Sequence, residues 1–323
     1  IQPSKLKPVW RRSVDAGPQW PAALTAAEGF LFVGLRSEEI LVLRPADGSV
    51  EARFRAPDEV NSAPLYHRGE LAVVSRDGSL TLLSWPAGHE RWSEALGALG
   101  VSRHGEALVA STRQGTLEAR SFFNEPLWRY EAESPFLSAP VLHRGEVFGV
   151  TQQGWVHCAD AKTGQGRFKL QLGSAAAAPS AKGGLLLLPE RGGELHAFDL
   201  ASREVRWSYD LEGPLWASPV CWGPYLYAAA WSDAVRCLSL ASGDDVWSHP
   251  VSARITATPI VASGTLYVAT EGGDLLALDA RSGQLLFEEN VAPSPIQTSP
   301  LALGGTLVVA ALDGTIKAYR SEV

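Results

Sequence analysis

Histidine is the residue type in this sequence that most directly suggests a metal site, and the chain contains seven of them. Three lie in related tetrads, at 67–70 (HRGE), 103–106 (RHGE) and 143–146 (HRGE). The tetrads fall in successive copies of a repeat, too far apart for their side chains to share one metal ion. We therefore predict polar turns and no metal site. As a basic stripe, the same residues could instead dock an acidic partner.

Other side chains that could carry catalysis do not fall into a productive spacing. The sequence has no G-x-S-x-G, phosphate-loop or HExxH motif, and no carboxylates paired for acid–base work. Its three cysteines, Cys158, Cys221 and Cys237, are too few for a disulfide framework, and each lies in an apolar run where it would act as a small hydrophobe. We predict a protein that is not an enzyme and that binds no cofactor or metal.

The composition and charge of the chain argue against two classes of partner, nucleic acids and a spanned membrane. The 323 residues carry a formal net charge of −7, which argues against nucleic-acid binding. No apolar run approaches the length of a membrane span. Because the chain begins at Ile1 and contains no methionine, we expect an initiator segment outside it, with room there for a signal peptide or a lipid anchor.

The positions of the histidines and of the other polar side chains follow a repeat in the sequence. Residues 277–287 (ALDARSGQLLF) are echoed at 158–168 (CADAKTGQGRF), 197–207 (AFDLASREVRW) and 237–247 (CLSLASGDDVW). The Asp or Ser and the later Gly indicate a tight turn between two strands. A small residue followed by proline marks each copy at intervals of about forty residues, and Gly100-Val101-Ser102 fills the one gap. The prolines are Pro21, Pro64, Pro140, Pro179, Pro219, Pro259 and Pro300.

Each copy reads as four short strands, and no segment shows helical periodicity. In the seventh copy the strands are predicted at 259–262, 266–270, 275–279 and 285–289. Eight such units predict an all-β fold, an eight-bladed β-propeller forming a single domain over residues 1–323. The last copy lacks its fourth strand, and residues 8–12 supply one. We expect that N-terminal strand to complete the last blade, which would leave no open sheet edge there.

An aromatic residue closes each unit. The series consists of Trp10, Phe54, Trp92, Trp128, Phe168, Trp207, Trp247 and Phe287. The third unit is the most divergent, since residues 119–128 (ARSFFNEPLW) lack the Asp and the Gly and carry a proline. Such divergence indicates either drift or a sector that meets a partner.

The pattern Ala-x-Asp-x-x-Ser/Thr-Gly-x-x-x-Trp resembles the tryptophan-docking repeat of the pyrroloquinoline-quinone (PQQ)-like β-propellers. Ala277, Asp279, Ser282, Gly283 and Phe287 match it, and the resemblance covers essentially the whole chain. At 197–207 an Arg replaces the Gly, and at 237–247 a Ser replaces the Asp. The resemblance implies that each aromatic packs on the neighbouring blade's turn, as a structural staple and not a cofactor site.

Members of this family have several different functions. Its quinoprotein dehydrogenases have adjacent cysteines, a calcium site and long insertions, none of which this chain shows. The compact repeats are most similar to BamB-type outer-membrane assembly factors. This resemblance implies a monomeric, non-enzymatic scaffold that binds protein partners in a bacterial envelope or outer-membrane assembly complex, in the periplasm or at the outer membrane. The alternative is a ligand-sensing propeller, possibly PQQ-binding, from a larger signalling protein such as a kinase.

Side chains that break the repeat mark the predicted binding face. If the first strand of each blade lines a central channel, the loop before it and the turn between the second and third strands share one face. Large or polar residues there suit binding, because Trp and Arg are enriched in hot spots; they could equally fill the channel mouth. The candidates are Trp216, Trp231, Arg254, Arg113, Arg76, Gln152, Asn61 and Gln297.

Overall fold

The computed structural model describes residues 6–14, 24–175, 177–229 and 234–321. Regular structure in these residues is β-strand throughout, arranged in eight four-stranded antiparallel sheets. The fold is an eight-bladed β-propeller, as the repeat predicted. The described residues contain no helix with the length and apolar character needed to cross a membrane.

The strands follow the chain in sets of four, apart from the first. The first strand is β1 (Leu6–Ser13), and blade 1 contains β2 (Leu24–Ala27), β3 (Phe30–Gly34), β4 (Glu39–Leu43) and β5 (Val50–Arg55). Blade 2 contains β6 (Leu65–His67), β7 (Glu70–Val74), β8 (Ser79–Ser84) and β9 (Glu90–Ala95). Blade 3 contains β10 (Ala98–His104), β11 (Ala107–Thr112), β12 (Thr116–Ser121) and β13 (Pro126–Glu131).

The middle of the chain continues the pattern. Blade 4 contains β14 (Val141–His143), β15 (Glu146–Val150), β16 (Trp155–Asp160) and β17 (Gly166–Gln171). Blade 5 contains β18 (Ser180–Lys182), β19 (Leu185–Pro189), β20 (Glu194–Asp199) and β21 (Glu204–Asp210). Blades 2 to 5 lie in one compact unit, Leu65–Ser218.

The remaining blades belong to the second compact unit, Ile1–Pro64 with Pro219–Val323, which also holds blade 1. Blade 6 contains β22 (Val220–Trp222), β23 (Tyr225–Ala229), β24 (Ala234–Ser239) and β25 (Asp245–Pro250). Blade 7 contains β26 (Ile260–Ala262), β27 (Thr265–Ala269), β28 (Asp274–Asp279) and β29 (Leu285–Asn290). Blade 8 contains β30 (Leu301–Leu303), β31 (Thr306–Ala310) and β32 (Thr315–Ser321), with β1 as its fourth strand.

The N-terminal strand completes blade 8, as predicted. Strand β1 pairs antiparallel with β32, from Leu6 opposite Ser321 to Ser13 opposite Thr315. Its register shifts between Pro8 and Trp10. The strand is longer than the predicted 8–12 because pairing extends in both directions past the apolar centre.

Burial follows the position of a strand in its blade. In the unit Leu65–Ser218, the second strand of blade 4, β15, has its last four residues buried because neighbouring blades cover both of its faces. Val147 packs toward blade 3 and Phe148 packs toward blade 5. Fourth strands such as β13 alternate between exposed and half-buried residues, as expected for a strand with one face toward solvent. The apolar cores therefore lie between adjacent blades; one joins Phe136 of blade 4 to Leu117 and Val109 of blade 3.

Proline sets the length of the first strand. The first strands of blades 2 and 4 to 8 have three residues and begin directly after a proline. Proline lacks a backbone N–H and cannot extend the ladder toward the N-terminus. Blade 3 has no such proline, and its first strand, β10, runs for seven residues. The missing proline in the third copy thus lengthens a strand without removing it.

Within each compact unit, several of the closing aromatic residues contact a turn of the following blade. Trp128 Nε1 donates to Ala161 O at 3.1 Å, and Trp247 Nε1 donates to Ala280 O at 3.2 Å. A bulge precedes each ring, between Ala119 and Arg120 in the first case, and it re-aims the fourth strand toward the next blade. Trp10 makes the same type of bond to Pro45 O at 2.9 Å. These contacts link blades within each compact unit.

The divergent turn of blade 3 replaces the usual residues with functional equivalents. Ser121 Oγ accepts from the backbone N–H groups of Phe123 and Glu125, both at 3.2 Å, in place of an aspartate carboxylate. Asn124 adopts a φ of 64° at the position that is glycine in blades 1, 2, 4, 6 and 7. Asparagine tolerates this left-handed conformation better than most residues. Trp92 Nε1 then donates to Phe122 O at 2.9 Å, so this turn still receives an indole.

Candidate functional site

Two kinds of segment carry the predicted binding residues: the turns between second and third strands and the loops that lead into first strands. Backbone hydrogen bonds join them within a blade. Gln152 N donates to Pro135 O at 3.0 Å in blade 4, and Glu271 N donates to Arg254 O at 2.8 Å in blade 7. Turn and loop therefore lie on the same side of each of these blades. We call these segments together the turn face.

A short hydroxyl side chain closes several of these turns. Thr151 Oγ1 accepts from Trp155 N at 3.1 Å, and Thr112 Oγ1 accepts from Thr116 N at 3.0 Å. The residues between these partners project outward, and Arg113 and Gln152 are both exposed. The closed turn fixes the backbone beneath side chains that remain available to solvent.

In the unit Leu65–Ser218, the turn face brings Arg76 and Arg113 together. Arg113 Nη2 donates to Arg76 O at 2.7 Å, so the turn of blade 3 is tied to the turn of blade 2. Both arginines are exposed. Trp216, in the loop after blade 5, is half-buried, and the Arg191 guanidinium lies 5.7 Å from its ring centroid, within cation–π range. Three arginines, Arg76, Arg113 and Arg191, thus lie on this part of the face.

In the other unit, the turn face is organised around Glu271. Its Oε1 accepts from Gln297 Nε2 at 3.0 Å and from Thr256 Oγ1 at 3.3 Å. Arg254 is exposed in the loop that leads into blade 7, and Asn61 is half-buried after blade 1. The structure therefore joins Gln297 of blade 8 to blade 7 through one carboxylate. The predicted residue Trp231 lies outside the described residues.

The histidine tetrads occupy turns between first and second strands, as predicted. His67 Nε2 lies 3.2 Å from Glu106 Oε2, and Arg68 Nη1 donates to Glu106 Oε1 at 2.9 Å. The His67 ring also packs against Phe122, with centroids 4.9 Å apart. His67 and Arg68 of the tetrad in blade 2 thus pair with Glu106 of the tetrad in blade 3, and these contacts help to join the two blades.

The cysteines Cys158 and Cys237 belong to the core. Both are buried, and burial raises the pKa of each thiol to about 12. A thiol with so high a pKa stays protonated at neutral pH and is a poor nucleophile. Their place in the third strands of blades 4 and 6 is therefore a packing role.

A cavity of about 530 Å³ lies beside blade 1. Salt bridges cross the part of its lining that belongs to blade 1, such as Arg53 Nη1 to Glu39 Oε2 at 3.1 Å. Its lining consists of Arg12, Ser13, Val14, Leu35, Ser37, Glu39, Leu41, Arg53, Phe54 and Arg55. None of the eight predicted binding residues is among them.

Two features of the surface escaped the residue-level prediction. Phe123 is 85% exposed and Leu127 is 51% exposed, both at the divergent outer turn of blade 3. The departure of this unit from the repeat was the signal that could have found them. A second feature is the group Glu190, Glu194 and His196 in blade 5, whose side chains converge.

Comparison with known proteins identifies the family of this chain. The family model described as outer membrane protein assembly factor BamB matches residues 7–121, 88–230 and 231–322. The chain belongs to this family. Curated protein sequences give no match.

Solved structures show the same fold at low sequence identity. BamB from Moraxella catarrhalis superposes with a TM-score of 0.80 at 17% identity, covering 98% of this chain and 99% of that one. The computationally designed Ika8 protein has a TM-score of 0.85 at 15% identity, with 95% and 97% covered. Sqt1 from Saccharomyces cerevisiae has a TM-score of 0.79 at 11% identity, with 96% of each chain covered. At such identities the likeness establishes the fold alone.

Proposed function

We propose that this chain is a non-enzymatic, protein-binding scaffold that takes part in outer-membrane protein assembly in the bacterial cell envelope. The family match across the chain supports this role. So does the fold shared with the Moraxella catarrhalis protein. In this proposal, residues 1–323 act as one propeller domain in the periplasm, at the inner side of the outer membrane.

One observation carries the proposal: the turn face presents exposed polar side chains on a backbone that is hydrogen-bonded from both sides. Arg113 shows it best. Its backbone N–H donates to Gly97 O at 2.9 Å, its guanidinium bonds the neighbouring turn, and its side chain is still exposed. A side chain held in this way loses little conformational freedom on binding, which favours affinity.

The chemistry of this face indicates what a partner would offer. Arg76 and Arg113 lie in adjacent turns, and Gln152 follows in the next blade. Guanidinium groups bind carboxylates in a bidentate manner. We therefore propose that the unit Leu65–Ser218 binds an acidic segment of a protein partner, with Trp216 of the same unit contributing a further contact. Arg254, Asn61 and Gln297 belong to the other unit, and we propose them as partner contacts of that unit by itself.

Site-directed photo-crosslinking in the native host tests the proposal. A photoreactive residue is placed at Arg76, Arg113 or Gln152, and at Val246 on the exposed outer strand of blade 6 as a matched control. We expect crosslinks from the first three positions to a component of the outer-membrane protein assembly machinery, and none from Val246.

Crosslinks from Val246 alone, or from no position in a chain with an unchanged melting temperature, would contradict the proposal. The ligand-sensing alternative has its own test. Saturable one-to-one binding of PQQ, with a raised melting temperature and loss of binding in Trp216→Ala, would replace the scaffold proposal with a sensor.

A further inference from the structure

The turn between β19 and β20 departs from the other turns of the turn face. Blades 3, 4 and 7 begin this turn with threonine, whereas blade 5 begins it with Glu190. Glu190 N donates to Glu194 O at 2.8 Å, which closes the turn and sets the two glutamates opposite each other. His196 follows Glu194 by two residues on β20, so both side chains lie on the same face of the strand.

The three side chains converge at distances suited to a metal ion. His196 Nε2 lies 3.0 Å from Glu190 Oε1 and 3.7 Å from Glu194 Oε2. All three ligand atoms lie within 4.8 Å of one another. Zinc binds imidazole nitrogen and carboxylate oxygen at about 2.0–2.2 Å, which separates neighbouring ligand atoms by roughly 3.3 Å. The observed separations bracket that value.

Surrounding groups fix two of the ligands. Ser208 Oγ lies 2.6 Å from His196 Nδ1, so the ring can donate from Nδ1 and leave Nε2 free to coordinate. A histidine ligand is usually held by such a bond to its other nitrogen. Gly173 N donates to Glu190 Oε1 at 2.5 Å, and a Cβ at Gly173 would lie 2.1 Å from Glu190 Oε2. Glycine at this position makes room for the carboxylate.

Charge supplies an independent reason for a cation. Among the described residues, no lysine or arginine forms a salt bridge with Glu190 or Glu194; His196 is their partner. Glu118, on the third strand of blade 3, instead pairs with Arg129 at 3.2 Å. The Glu190 side chain is only 14% exposed. A largely buried carboxylate whose ion-pair partner is a histidine is neutralised only while that histidine is protonated, and a divalent cation would supply a permanent positive charge.

Blade 4 provides an internal contrast. His157 occupies the position in β16 that His196 occupies in β20, but its turn begins with Thr151 instead of a glutamate. The carboxylate that lies near it among the described residues, Glu133 at 3.6 Å, also pairs with Lys169. The same histidine position therefore lacks the ligand set in blade 4 and has it in blade 5.

We propose that Glu190, Glu194 and His196 bind one divalent transition-metal ion of the zinc class. The imidazole favours Zn²⁺, Co²⁺ or Ni²⁺ over Mg²⁺ or Ca²⁺, which prefer all-oxygen sites. Glu194 is 55% exposed, so the ion can enter from solvent and water can complete its coordination. The ion would join the two sides of the turn in blade 5 and stiffen that part of the turn face.

Titration of the untagged, chelator-treated full chain with Zn²⁺ tests the site by calorimetry, and Co²⁺ absorption reports the ligand field. We expect one equivalent to bind saturably. Glu194→Gln should weaken binding at least tenfold, and His196→Gln should remove the one-equivalent Co²⁺ spectrum. Glu204→Gln, on the outer strand of the same blade, and His157→Gln should bind as the unaltered chain does.

Two results would overturn the proposal. One is the absence of one-equivalent binding at about 100 µM of either ion, a concentration that corresponds to a weak site. The other is affinity unchanged by Glu194→Gln, which would make any observed binding adventitious. Because Glu194 is exposed, this variant is expected to fold and decides the matter even if His196→Gln does not fold.

Discussion

Two neighbouring contacts in the unit Leu65–Ser218 solve the same packing problem differently. Between blades 3 and 4, Trp128 lies on Gly164, where a Cβ would come within 2.6 Å of the indole ring. Between blades 4 and 5, Phe168 takes the place of the indole, and Arg203 takes the place of the glycine. Both turn residues have positive φ, 71° at Gly164 and 61° at Arg203.

This difference distinguishes two reasons for glycine at the turn position: its positive φ and the space that the aromatic ring occupies. Positive φ alone does not demand glycine, because Arg203 adopts it. Clearance for the indole adds a second reason for glycine in turns of full length, since the ring fills the same space at Gly164, and also at Gly48 under Trp10 and Gly283 under Trp247. The turn that receives Trp92 is one residue shorter and carries Asn124 at this position. With the smaller phenyl ring, an arginine fits, and its guanidinium covers Phe168 at 5.1 Å from the ring centroid.

The largest expected effect comes from Gly164→Ala. Left-handed strain and overpacking against Trp128 should together lower the free energy of unfolding by about 2–4 kcal/mol. Urea denaturation measures it. Gly105→Ala is the matched control, because Gly105 also has positive φ but has open space around it. Equal losses in the two variants would show that strain alone, and not clearance, requires glycine at 164.

Trp128→Phe should have the next largest effect. It removes the hydrogen bond to Ala161 O and part of the ring's packing, so the free energy of unfolding should fall by about 1–2 kcal/mol. Thermal and urea denaturation both report it. In the Gly164→Ala background the smaller ring should recover part of the loss. Strictly additive losses would contradict the steric explanation.

A smaller effect is expected where the arginine replaces glycine. Arg203→Gly relieves left-handed strain but removes the cation–π contact, so the two changes should cancel to within about 1 kcal/mol. Phe168→Trp should be tolerated better in the Arg203→Gly background than in the unaltered chain. A double-mutant cycle measures this coupling, expected at about 1 kcal/mol. A coupling near zero would show that ring size and turn residue are independent.

The smallest effect concerns acid stability of the two turns. A hydrogen bond from Arg167, with those from the backbone of Thr163 and Lys162, lowers the pKa of Asp160 to about 2. Because the folded-state pKa lies below the ordinary value, the carboxylate stabilises the fold above about pH 4. That contribution is lost as the pH falls toward 2. The stability of Asp160→Asn should therefore decline less steeply over this range in pH-dependent denaturation. Parallel curves would contradict it.

The turn of blade 5 offers a check on that result. Backbone N–H groups of Ser202 and Ala201 are the main cause of the lowered pKa of Asp199, with Arg206 contributing less. The sign is the same, so Asp199→Asn should also flatten the acid limb of the stability curve.

Much of the fold could be predicted because each blade repeats local rules. Turn residues, the small residue before proline and the closing aromatic each meet a different physical requirement, and at least one of these marks is present in every unit. In blade 7 the strand bounds were predicted to within a residue; the first begins at Ile260 because Pro259 cannot donate to the ladder. The Trp10 strand could be assigned to blade 8 because that copy lacked its own fourth strand.

Less of the candidate site than of the fold could be predicted from the sequence. Glu190 could be placed on the turn face by its position in the repeat, but its approach to His196 depends on the pairing register of β19 and β20 across the turn. Comparison of histidine contexts drew attention to His67, His104 and His143 instead. The exposure of Phe123 likewise depends on how one irregular turn closes around Ser121, which composition does not reveal.

The pairing of β1 with β32 determines the order in which the blades can form during synthesis of the protein. The two strands are separated by on the order of 300 residues, and a ribosome adds about 5–20 residues per second. Strand β1 therefore leaves the ribosome about 15 seconds to a minute before its partner exists. Blades 1 to 7 can each form from consecutive strands as they emerge, whereas blade 8 can form only after β32 has emerged.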